Sequence, residues 1–193
     1  MTAPKWIIGR LAMLVAGLVI AQSLYLPAKA VAAQALLHLA WQRTLATGIQ
    51  HKPWPWADTA TLARINFPEL EGELILLAGS MGRTLAFAPG HMSGSSLPDG
   101  KGHMVISGHR DTHFAMLENI QMGHRIEIED RTGHLKTYRV NDIRIVDSRN
   151  EQVILAHDKE RLTLITCYPF DAIQAGGPLR LRIDAELVLS DVS

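Results

Sequence analysis

The 193-residue chain carries 19 Lys+Arg against 19 Asp+Glu, for a formal net charge of zero, with 47% hydrophobic and 20% charged residues. That composition supports a buried core and excludes a disordered chain, and the lack of any basic excess or run argues against nucleic acid as a partner. The single cysteine, Cys167, excludes an intramolecular disulfide and a multi-cysteine zinc site.

In chain order, the first feature is an apolar segment from Trp6 to Leu26, with Lys5 and Arg10 on its amino side. Leu11–Leu26 alone falls short of the about 20 residues a membrane span needs, but Trp6–Leu26 suffices if Arg10 snorkels back to the headgroups. The basic residues hold the amino end in the cytoplasm and send everything after about residue 27 out of it. Ala28-Lys29-Ala30 has the small-x-small form of a signal-peptidase site, so a cleaved signal peptide is a second reading and a buried core helix a third. Residues 1–27 are read as a cytoplasmic stub and transmembrane signal-anchor. Residues 28–56 are read as a juxtamembrane helix and a Pro/Trp linker. Ala28 to Thr47 is rich in Ala, Leu and Gln and stops at Gly48, while the prolines of His51-Lys52-Pro53-Trp54-Pro55-Trp56 forbid regular helix. Residues 57–193 are read as the folded domain.

Within that domain the pattern is one of short alternating runs. Met104-Val105-Ile106 is an apolar run ending at Gly108, Arg125 to Glu129 alternates with period two, and Asp130-Arg131-Thr132-Gly133 is a turn before Leu135 to Val146. Leu162 to Thr166 leads into Cys167, and Leu179 to Leu189 alternates leucines and isoleucine with Arg180, Arg182, Asp184 and Glu186. Only Phe114 to Ile120 has helical spacing. Many short strands with glycine-rich turns predict a mainly β, closed or nearly closed barrel with short helices.

Cys167 follows a strand and precedes Tyr168-Pro169, a place where a rigid scaffold meets a loop. A free thiol has a pKa of about 8.5, so it needs a cationic or basic neighbour to become a nucleophile. His109, at the end of a strand, and Arg180 and Arg182, opposite the leucines of the last strand, are the candidates; each also fits a solvated strand face. His91, His103, His109 and His113 cluster in sequence, but the glycine before His109 argues against the helix on which i, i+4 histidines chelate metal. No metal and no cofactor is expected, and no acidic cluster of the kind that holds calcium stands out.

Three segments together resemble the sortase family of cysteine transpeptidases. Leu162-Thr163-Leu164-Ile165-Thr166-Cys167 is similar to the family's strand-to-nucleophile motif, the stretch Phe87 to Asp111 to the segment carrying its histidine, and Pro178-Leu179-Arg180-Leu181-Arg182 to the place of its arginine. Arg64 to Leu70 resembles the first strand and Thr112-His113-Phe114 the run after the histidine. The resemblance implies an eight-stranded barrel with Cys167 as nucleophile, His109 as proton shuttle, Arg180 as charge-stabilising partner and Arg182 in reserve. It implies cleavage of a carboxyl-terminal sorting signal (an LPxTG-like pentapeptide) on a secreted protein through a thioester, then transfer to an amine acceptor. Tyr168-Pro169-Phe170 and Gly176-Gly177-Pro178 look most like Gram-negative, proteobacterial sortases, which implies an inner-membrane anchor with the domain in the periplasm. Two rival functions remain on the same scaffold: a membrane-anchored cysteine hydrolase, and a catalytically silent binding barrel.

Overall fold

The structure, a computed structural model, describes residues 5–155, 159–172 and 176–188. It begins with one helix, α1 (Lys5–Thr47), which continues through Pro27. The apolar segment and the juxtamembrane helix, separate in the sequence reading, are therefore joined end to end. Among the described residues α1 is the one helix long and apolar enough to cross a membrane. Its side chains Trp6, Met13, Leu14, Val15, Val19, Leu24 and Tyr25 are all exposed, so this part is not a core helix of the fold.

The carboxyl half of α1 behaves differently. Ala33, Leu37, Ala40, Trp41 and Thr44 recur at helical spacing and are buried, with Leu37 and Trp41 packed on Ile75, Leu77 and Ala88. The hydroxyls of Thr44 and Thr61 lie 2.7 Å apart, tying the helix to the barrel. The helix stops at Gly48, whose N–H donates to the Thr44 carbonyl at 2.8 Å with φ +70°, the left-handed cap that glycine adopts without a steric penalty.

Eight strands follow: β1 (Thr61–Phe67), β2 (Gly72–Ala78), β3 (Gly90–His91), β4 (His103–Ser107), β5 (Arg125–Asp130), β6 (Leu135–Asp147), β7 (Arg161–Cys167) and β8 (Leu179–Leu187). They close into a barrel in the order β1-β2-β3-β4-β7-β8-β6-β5. Alternation fills its interior: Ile65, Met104, Ile106, Ile126, Ile128, Leu162, Leu164 and Ile183 are buried in one core with Phe114 and Tyr138. Each fully buried Ile or Leu contributes about 1.5–3 kcal/mol. On the outer face Arg64 bridges Glu73 and Glu129 at 3.1 and 2.8 Å, sealing the β1–β5 closure.

The departures from the sequence reading are local. The first strand ends at Phe67, and Pro68–Leu70 forms a 3-10 turn because Pro68 has no N–H to give a ladder. The helical spacing after Phe114 becomes a 3-10 turn over Ala115–Asn119, too short for α-helix. A four-residue helix, α2 (Gly82–Leu85), joins β2 to β3, neither of which the sequence pattern singles out. The last strand ends at Leu187; Leu189 lies outside the described residues.

Candidate active site

The barrel order puts β4, β7 and β8 side by side. β4 and β7 run parallel, with Ser107 beside Ile165 as their last pair. The ladder goes on past that pair. The Gly108 N–H donates to the Ile165 carbonyl at 3.1 Å, and the buried Thr166 hydroxyl donates to the Gly108 carbonyl at 2.8 Å. His109 and Cys167 each stand two residues beyond that pair, at the ends of neighbouring strands. On the other side β8 runs antiparallel to β7, and Arg180 is the direct cross-strand partner of Cys167. Leu162, Leu164 and Thr166 point into the core, so Cys167 takes the outer face, half-buried, with Arg180 opposite it.

His109 is exposed, and its carbonyl accepts the Phe114 N–H at 3.0 Å, closing a tight turn. Gly108 permits that turn: a Cβ there would sit 2.7 Å from Phe114 Cδ2, in collision with the ring. Burial holds His113 below the usual histidine range, with the nearby His109 charge adding to the effect. Arg180 Nη1 donates to the carbonyls of Gly177 (2.5 Å) and Leu179 (2.8 Å). Among the described residues neither its Nη2 nor its Nε has a partner.

Arg182 faces the same side but is committed elsewhere. Its side chain is 8% exposed and pairs with Asp184 at 2.9 Å and Glu151 at 3.5 Å. Asp184 also accepts the buried Thr163 hydroxyl, whose single proton is thereby used, so His103 Nε2, 2.7 Å from that hydroxyl, is the donor in their bond. This chain of polar groups occupies the outer face just below Cys167. It favours Arg180 over Arg182 as the cation free to meet a ligand.

Arg110 escaped the sequence reading. Its guanidinium is 6% exposed and donates to the carbonyls of Pro169 (2.5 Å) and Ala172 (2.6 Å) and, through Nε, to Asp111 (2.8 Å). The residue after His109 thus holds the loop that follows Cys167. A cavity of about 380 Å³ opens under the same loop, lined by Tyr168, Pro169, Phe170, Ile120 and Ile143. Among the described residues no group of three His, Cys, Asp or Glu side chains is placed to hold a metal ion.

A family model described as the sortase domain matches residues 65–188, more than half of the chain and all of the strands just described from β4 to β8. The chain belongs to the sortase family. It is 34% identical over 110 residues to sortase D of Bacillus subtilis (strain 168), covering 56% of this chain and 55% of that protein. The chain thus spans about half the length of that curated relative. Among solved structures, sortase A from Corynebacterium diphtheriae superposes with a TM-score of 0.61 at 33% identity, covering 72% of this chain and 65% of that one. Sortase C-1 from Actinomyces oris gives a TM-score of 0.55 at 30% identity, covering 65% and 72%. The sortase barrel read from the sequence is the fold observed.

Proposed function

We propose that this sortase is a membrane-anchored cysteine transpeptidase acting outside the cytoplasm. The observation that carries the reading is the β4-β7-β8 strand order, which brings His109, Cys167 and Arg180 to adjacent strand ends. The Cys167 thiolate attacks a backbone carbonyl of a carboxyl-terminal sorting signal. The oxyanion that forms faces the Arg180 guanidinium, a permanent cation with planar donors. His109 gives its proton to the departing amine as the C–N bond breaks, leaving a thioester on Cys167. An acceptor amine then attacks the thioester, returns a proton to His109 and releases the thiolate.

The sorting signal is proposed to be an LPxTG-like pentapeptide, with the cavity beneath Tyr168-Pro169-Phe170 as a place for one of its apolar side chains. The exposed apolar surface of α1 supports a single membrane anchor. The proteobacterial resemblance of Tyr168-Pro169-Phe170 and Gly176-Gly177-Pro178 supports an inner-membrane location with the barrel in the periplasm. Product analysis of a sorting-signal peptide, with and without an added amine, tests the reaction type. Amine-containing product supports transfer; hydrolysis alone at every amine concentration would make the protein a cysteine hydrolase.

A further inference from the structure

β6 ends beside the candidate site and β7 begins at the other end of the barrel, so the chain between them crosses the outside of the sheet. Asp147, the last residue of β6, pairs with Leu179 next to Arg180, while Arg161, the first of β7, pairs with Glu186. The described start of that crossing, residues 148–155, leaves its mark on the strands. His103, Thr163, Arg182 and Asp184 all point away from the core, yet each is buried. Polar side chains on an outer face stay in water unless something lies over them.

The contacts identify what lies there. A turn opens the segment, in which the Asp147 carbonyl accepts the N–H groups of Asn150 and Glu151 at 3.0 and 2.9 Å. Ser148 donates its N–H (3.0 Å) and its hydroxyl (2.8 Å) to the Pro178 carbonyl, two residues before Arg180. The Glu151 carboxylate meets Arg182, two residues after Arg180 on the same face, at 3.5 Å, with Arg144 at 3.9 Å. The Ile154 backbone then bonds His103 on β4. Arg182 already has Asp184 at 2.9 Å, so Glu151 is not required to neutralise it. What Glu151 adds is a tie between β8 and the segment.

Only a narrow strip of the outer face is left beside Cys167. Ser107 and Ile165, paired on β4 and β7 and both half-buried, lie between the covered residues and the thiol. A peptide carbonyl that reaches Cys167 and Arg180 from outside lies over this strip, with residues 148–155 along one side.

We propose that residues 148–155 form a wall of the peptide groove and that Glu151 is the positioning residue that holds this wall on β8. The proposal rests on the transpeptidase reading. Glu151 acts through Arg182 on the segment and not on the thiol, so its loss changes how well the peptide is held and leaves the chemistry of Cys167 alone.

The test compares the full-length wild type with Glu151→Gln and Glu151→Asp in detergent micelles, using an LPxTG-like peptide and an amine acceptor. Glu151→Gln is expected to raise KM about fivefold with kcat unchanged, as befits one half-exposed charged contact. Hydrogen exchange at the amides of residues 148, 150 and 151 should quicken by a similar factor. Glu151→Asp, which keeps the charge on a shorter arm, should fall between the two. Alkylation of Cys167 by iodoacetamide, too small to need a groove, should proceed at one rate in all three. Faster exchange with an unchanged KM would overturn the wall, and unchanged exchange in Glu151→Gln would overturn the tie. A wild type that forms no acyl adduct and no product would overturn the transpeptidase reading itself, and the wall with it.

Discussion

Cys167, the last residue of β7, lies directly across the ladder from Arg180, the second residue of β8. The pairing is backbone-determined, so Arg180 is held on the strand beside Cys167 by the same register that closes the barrel. Arg180→Ala is expected to lower kcat/KM by about 10²–10³, the usual cost of one oxyanion donor, without lowering the melting temperature. Arg182→Ala is expected to do the opposite. It leaves the buried Asp184 carboxylate with only the longer contact to the half-exposed Arg144 at 3.6 Å, so the fold loses stability. Kinetics and thermal melts of the two variants separate these roles.

Arg110, itself buried, joins the His109 turn to the loop after Cys167 through two part-buried carbonyl contacts. Arg110→Lys keeps the charge but cannot span both carbonyls in the same fork. One acceptor is left unpaired, at a cost of about 1–3 kcal/mol. Thermal or denaturant unfolding checks the stability loss, and single-turnover acylation checks whether Cys167 is displaced with its loop.

Much of this was legible in the sequence for a simple reason. β5 and β8 each turn apolar side chains into the core and charged ones to the other face, so period-two alternation shows in their residues, and β7 is legible through the motif that ends at Cys167. β3 was not legible, because two residues carry no periodicity. Nor was β2, where Ile75, Leu76 and Leu77 are buried in succession because one face meets the core and the other meets Leu37 and Trp41 of α1. Arg110 left no signal either: its partners are backbone carbonyls 59 and 62 residues away, which no local spacing announces.

Gly108 is needed for its lack of a side chain. Gly108→Ala places a methyl group against the buried Phe114 ring and strains the turn that carries His109. The expected result is a loss of about 1–3 kcal/mol in stability, as for other overpacked sites, together with reduced acylation. Pairing Gly108→Ala with Phe114→Leu, which makes room at the ring, is expected to recover part of the activity, measured as peptide turnover.

His103 gives the fold a pH dependence. Burial and then the Arg161 charge hold its imidazole below the usual histidine range, against an opposing pull from Asp184. Because the unfolded chain takes up the proton first, stability is full above about pH 6.5 and falls as pH drops through that value toward the lower folded-state pKa. His113, depressed by burial, adds in the same direction. Denaturant unfolding across this range should show stability falling toward acid, and His103→Gln should reduce the slope.

The most direct measurement is the intact mass of the protein incubated with a sorting-signal peptide. The account predicts a mass gain equal to the peptide's amino-side fragment, absent in Cys167→Ala and released when an amine is added. Turnover of the peptide with no covalent adduct, or with activity retained in Cys167→Ala, would contradict it.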